Sequence, residues 1–188
     1  MREDIIKYLH DEVKRRCELS TNHFGMGCYY HIKSVVKNAE ILAKKYDANI
    51  EIVIIASWLH DIASVTDYSL YEEHHIYGAK MAYEILQQFK YEEDKIEAIQ
   101  NCILNHRGSI DNKRLTIEEL CVADADAISH FDNLPSLLYL AYVKKGMEID
   151  KGRIFVKNKL IRSYEKLSFT SKELYQNKYS QLIEILSL

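Results

Sequence analysis

Only one proline, Pro135, and six glycines interrupt the 188 residues of this chain. With so few helix breakers, most of the chain is free to run in helices. The apolar spacing agrees. Ile6, Leu9, Val13 and Cys17 recur at helical intervals and predict a helix over 3–18. Ile32, Val35, Val36, Ala39, Leu42 and Ala43 stripe a second over about 30–46, after a loop at 20–28. The stretch 50–63 is apolar on most sides, which predicts a central helix. Residues 64–73 are polar and read as a loop over a site. Helices follow over about 75–89 and 92–106, the latter ended by a turn at Gly108. Thr116 with Glu119 three residues on is a capping box that opens a helix running to about Phe131. Asn133 before Leu134-Pro135 predicts a further start with proline in its first turn. The last third is basic, then amphipathic from about Lys172. No strand-like alternation, repeat or linker is present. The fold class expected is all-α, a compact helical bundle in one domain over 1–188.

A formal charge of −3 gives no reason to expect nucleic acid or an anionic membrane as partner. The apolar run around Ile52 to Leu59 is too short to span a bilayer. Cys17, Cys28, Cys102 and Cys121 form no C-x-x-C pair, and no signal peptide precedes them. They read as reduced thiols in a cytoplasmic protein. The sequence leaves the oligomeric state open.

Five of the eight histidines, His31, His60, His74, His75 and His106, stand in acidic or apolar surroundings. His60-Asp61 ends the apolar run Ser57-Trp58-Leu59. Alone, such a dipeptide would be a polar pair at a helix end. Buried side by side, an imidazole and a carboxylate are costly unless a charge compensates them. His31 shares a helix face with Val35 and Ala39, and His106 with Ile99 and Ile103, so both point inward. Two inward histidines on separate helices beside a buried His-Asp pair need a shared explanation. A divalent metal is the simplest, since imidazole nitrogen and carboxylate oxygen are both ligands for it.

The order of these residues resembles the HD superfamily of metal-dependent phosphohydrolases, over residues 28–131, with 132–188 as a helical extension. Its series of a histidine, a His-Asp pair and a distant aspartate maps to His31, to His60 with Asp61, and to Asp126. The resemblance implies a bundle of the HD-domain type in which these four hold a metal. Some members bind a second metal through two further histidines. One lies in a motif matched by His74-His75-Ile76-Tyr77-Gly78-Ala79, which puts His74 in the ligand position. The other ends a helix, as His106 does. Asp61 would then bridge two ions as the catalytic carboxylate. The cofactor implied is one or two divalent transition metal ions among Mn, Fe, Co, Ni and Zn. Many relatives carry a basic residue directly after the last aspartate and an acid three residues after it. Ala127 and Ser129 stand there, so a contact made in relatives is expected to be missing. Helical phase from Leu120, Ala123, Ala127 and Phe131 turns Asp124 inward more than Asp126, which keeps Asp124 as the alternative ligand. Tyr164-Glu165-Lys166-Leu167 and the helix after it resemble the tail of small bacterial HD proteins, some of which release pyrophosphate from nucleoside triphosphates.

The activity implied is metal-assisted hydrolysis of a small phosphate ester or anhydride, with nucleotides among the candidates. A metal- or nucleotide-binding domain without turnover and a di-iron oxygenase are the rivals. Arg107 is the candidate phosphate contact, because a guanidinium grips phosphate oxygens in bidentate fashion. The basic run Lys144, Lys145, Lys151, Arg153, Lys157, Lys159 and Arg162 could reach a phosphate, although a solvated face is the commoner reading of such a run.

Overall fold

The structure is a computed structural model that describes residues 1–107 and 114–187. Its helices are α1 (Glu3–Glu18), α2 (Gly27–Tyr46), α3 (Ile50–Leu59), α4 (Ile62–Thr66), α5 (His74–Gln88), α6 (Glu93–Asn105), α7 (Ile117–Asp132), α8 (Leu134–Leu138), α9 (Ile149–Lys166) and α10 (Phe169–Ile185). A 3₁₀ segment, Tyr68–Glu73, leads into α5, and a π-helical turn, Tyr139–Lys144, continues α8. The described residues contain no strand, and none of their helices is long and apolar enough to cross a membrane. The turn expected at Gly108 lies outside the described residues.

Helix α3 is the hub. Every residue from Ile52 to Leu59 is buried, and α1, α2, α6 and α7 pack around it. Asn49 caps its start by accepting a hydrogen bond from Ile52 N, and Asp47 closes α2 in the left-handed conformation at φ 55°. Thr116 caps α7 by accepting from Glu119 N, as the capping box predicts. The Glu119 carboxylate departs from that box: it accepts from Leu115 N and from the Asn105 amide instead of Thr116 N. Pro135 takes its expected place in the first turn of α8.

Two predicted elements are corrected. The helix expected over 50–63 breaks at His60-Asp61, where Asp61 takes φ −109° and ψ 13°, between the helical and extended regions. The break turns the Asp61 side chain off the helix barrel. The polar segment at 64–73 is not a loop but α4 followed by the 3₁₀ segment. The basic stretch after residue 148 is helical too. In α9 only Gly152, Val156, Leu160 and Ser163 are buried, a narrow stripe hidden among charges, and it lies on α7. Gly78 lets α5 approach the end of α3 closely. A Cβ there would stand 3.3 Å from Ile103 Cγ2 and 3.6 Å from His60 O.

Candidate metal centre

Six side chains from six places in the chain meet at the broken end of α3. His31 comes from the second turn of α2 and His60 from the end of α3. Asp61 sits in the break, His74 starts α5, His106 follows α6, and Asp126 lies on α7. Two groups form, each with ligand atoms within 4.8 Å of one another: His31, His60 and Asp126, and Asp61, His74 and His106. In the first, Asp126 Oδ1 lies 3.2 Å from His31 Nε2 and 4.0 Å from His60 Nε2. In the second, Asp61 Oδ1 lies 3.5 Å from His74 Nε2. The other Asp61 oxygen faces the first group, 3.5 Å from His60 Nε2 and 3.9 Å from His31 Nε2. Ligands about 2.0–2.2 Å from one ion stand roughly 3.0–3.4 Å apart, so these separations need little contraction.

The ring nitrogens facing away fix the tautomers. His60 Nδ1 donates to Ser57 O at 2.8 Å, His74 Nδ1 to Tyr71 O at 2.7 Å, and His106 Nδ1 to Ile103 O at 2.6 Å. A carbonyl only accepts, so each Nδ1 carries a proton, and the form of each ring with that one proton presents an Nε2 lone pair inward. His31 Nδ1 lies 2.8 Å from Ser129 Oγ, whose own proton goes to Asp126 O at 2.7 Å; His31 is therefore the donor there as well. His74 Nε2 and His106 Nε2 stand 3.2 Å apart with no proton to share. His60 Nε2 is buried without a hydrogen-bond partner. Lone pairs converging on two anionic carboxylates fit a cation and little else.

The electrostatics point the same way. Burial would push the Asp61 carboxyl up, but His60, His74, His106 and His31 pull it below the usual carboxylate range. Burial would likewise push Asp126 up, and Lys166 with His31 holds it well below. Burial pushes His60 and His106 down, keeping both imidazoles neutral and ready to coordinate.

The structure thus brings together His31, His60, Asp61, Asp126, His74 and His106. Asp124 is as buried as helical phase predicts, yet it faces the other way. Its carboxylate accepts from Ser168 N at 3.0 Å and from Ser168 Oγ, holding the α9–α10 corner. Arg107 is also elsewhere: it pairs with the Glu72 carbonyl and, at 3.4 Å, with the Glu72 carboxylate, strapping the end of α6 to the 3₁₀ segment. His75 is buried but contributes to neither group. The Ser129 hydroxyl accepts a hydrogen bond from His31 Nδ1. Lys166, forty residues on, brings its ammonium to Asp126 Oδ2. Ser129→Ala removes the group that orients His31. It is expected to weaken metal binding by about 10–100-fold, read by competition with a chelating dye.

A cleft opens beside the first group. His31 and Asp61 form its floor, with Phe24, Tyr71, Leu137, Leu140 and Phe155 on its walls. His130 lines it too, stacked on His31 at 4.8 Å and held by Ser163. Lys159 and Arg162 of α9 complete the lining, Lys159 half-buried and Arg162 exposed. Among the described residues neither makes an ion pair or hydrogen bond. Burial pushes the Lys159 ammonium down while Asp126 pulls it up. Sequence reasoning named both only as members of a basic run, because α9 reads there only as charged.

A family model described as HD domain matches residues 28–130, more than half of the chain. A search of curated proteins found no match. Several solved structures share the fold. Bacillus subtilis YpgQ, also solved in complex with ADP, is similar with a TM-score of 0.70 at 19% identity, over 97% of this chain and 94% of its own. Lin1889 from Listeria innocua gives 0.68 at 18% identity, over 99% and 93%. A predicted HD superfamily hydrolase from an uncultured Thermotogales bacterium gives 0.62 at 18% identity, over 98% and 88%.

Proposed function

The chain belongs to the HD domain family, whose members are generally metal-dependent hydrolases, and on that premise we propose that it is a metal-dependent phosphohydrolase. The observation that carries the reading is the convergence of four imidazole Nε2 atoms on two carboxylates beside a cleft that His31 and Asp61 line together with two cations, Lys159 and Arg162. In this reading His31, His60, Asp61 and Asp126 hold one divalent ion, and His74 and His106 share Asp61 with a second. Divalent ions so held lower the pKa of water and neutralise charge on phosphoryl oxygens. Lys159 and Arg162 bind and orient the phosphate from the α9 side, where neither is held in an ion pair among the described residues. The aromatic wall of Phe24, Tyr71 and Phe155 suits a flat group carried by that phosphate, and the ADP complex of the similar YpgQ supports a nucleotide as its class. Metal analysis of the purified protein, then assay against phosphomonoesters and nucleoside di- and triphosphates, tests the reading. A protein that binds no divalent ion, or binds one and cleaves none of these, would overturn it. Lys159→Met should then lower kcat/KM by about 10–100-fold while leaving metal content unchanged, because it removes a charged hydrogen-bond donor and no ligand.

A further inference from the structure

The turn between α1 and α2 brings two cysteines together at the edge of the cleft. Cys17 lies in the last turn of α1 and is 1% exposed; Cys28 opens α2, is half-buried and lines the cleft. Their sulfurs stand 3.1 Å apart. Asn22 holds this arrangement. It is 4% exposed, and its amide nitrogen donates to Cys17 O at 3.0 Å and to Cys28 Sγ at 3.1 Å, while its oxygen accepts from Phe24 N at 3.0 Å. One side chain thus ties the end of α1, the turn and the Cys28 sulfur into a fixed frame. Gly25, at φ 64°, makes the turn tight enough for the two sulfurs to meet.

We propose that Cys28 and Cys17 are a hydroperoxide-reactive pair, Cys28 the attacking thiol and Cys17 the resolving one. The cleft gives a small oxidant access to Cys28, and the buried Cys17 sulfur is already in contact behind it. The Cys28 sulfur attacks one peroxide oxygen, and the O–O bond breaks. The departing hydroxide takes up the thiol proton and leaves as water, so Cys28 becomes a sulfenic acid. The Cys17 sulfur then attacks Cys28, the S–O bond breaks, and the hydroxyl leaves as a second water with the Cys17 proton. Two thiols and one hydrogen peroxide give one disulfide and two waters, with the sulfurs losing the two electrons that the peroxide gains. A disulfide is about 2.05 Å long, so closure moves the sulfurs by roughly 1 Å.

The surroundings separate the roles. Contact with the Cys17 sulfur, together with the Asn22 amide, pulls Cys28 below its ordinary value, against burial. The same contact pushes Cys17 up, and of the two sulfurs only Cys28 lines the cleft, so Cys28 is the attacking one. Cys102 and Cys121 are wholly buried, and burial pushes Cys121 up to about 12. They serve as internal comparators.

The test needs no substrate and does not depend on the phosphohydrolase reading. The reduced full-length protein is treated with hydrogen peroxide, its free thiols are alkylated, and peptides are mapped without reductant. No Lys or Arg lies between Arg16 and Lys33, so one tryptic peptide carries both cysteines. That peptide should become two hydrogens lighter and resist alkylation. After cleavage behind Glu18 its two pieces should stay joined until dithiothreitol is added. In Cys17→Ser, dimedone should label Cys28, at least about tenfold faster than Cys102 or Cys121. Sulfinic or sulfonic acid on Cys28 of the wild type without the link would overturn the proposal. So would a link through Cys102 or Cys121, or equal reactivity of all four thiols.

Discussion

Asp61→Asn is expected to lower hydrolysis by at least about a thousandfold while leaving the helical circular dichroism spectrum intact. Asp61 is the one carboxylate that faces both histidine groups, with an oxygen 3.5 Å from His74 Nε2 and the other 3.5 Å from His60 Nε2. Asn keeps the shape and one acceptor oxygen but removes the charge, leaving Asp126 as the sole anion against any cations bound there. The fold does not depend on that charge, since Asp61 sits in a helix break and makes no capping bond. Turnover and bound metal are measured together on the variant. If it keeps near-normal turnover, Asp61 is structural and the site assignment fails. If it loses turnover and retains its full metal content, the carboxylate acts on the substrate and not on the ion.

The helices were legible because their apolar stripes repeat at helical spacing, and the site because polar residues interrupt those stripes on the buried side. His31 on the Val35-Ala39 face and His106 on the Ile99-Ile103 face are visible in this way, and the resemblance supplied their order. The break at His60-Asp61 was not legible, since Ile50 to Ala63 has no breaker residue within it. Helical phase placed Asp124 inward correctly but could not say toward what. Helix α7 is buried from Cys121 to Ala125 and from Ala127 to Phe131, so nearly all its sides face protein and phase loses its discrimination. The groups that complete the site were hidden for a different reason. Ser129 meets His31 across 98 residues and Lys166 meets Asp126 across 40. Such partners are specified by how α7 and α9 pack, and nothing in the local periodicity of either segment marks them.

Lys166→Met is expected to destabilise the metal-free protein by about 3 kcal/mol at neutral pH, a loss that saturating Mn²⁺ largely relieves. The ammonium meets the Asp126 carboxylate where the two side chains are only 9% and 14% exposed, so solvent screens the pair weakly. Met keeps most of the aliphatic stem, which confines the change to the charge. Without Lys166 the carboxylate stays buried with one fewer compensating cation, and removing one partner of a buried pair costs more than the pair contributes. The pH dependence follows from the direction of the Asp126 shift. A carboxyl held well below its unfolded value contributes stability that is present above that value, about 3.9, and is lost as pH falls through the folded one. The variant loses part of that contribution, so its gap from wild type should be full at pH 7 and narrow as the solution becomes acidic. A divalent ion between His31, His60 and Asp126 supplies the same compensation from the other carboxylate oxygen, which is why metal should close the gap at neutral pH. Thermal melts of both proteins in chelator and in Mn²⁺, at neutral and acidic pH, measure all four corners. A gap that is the same in all four would assign the loss to packing of the lysine stem and detach Lys166 from the metal centre.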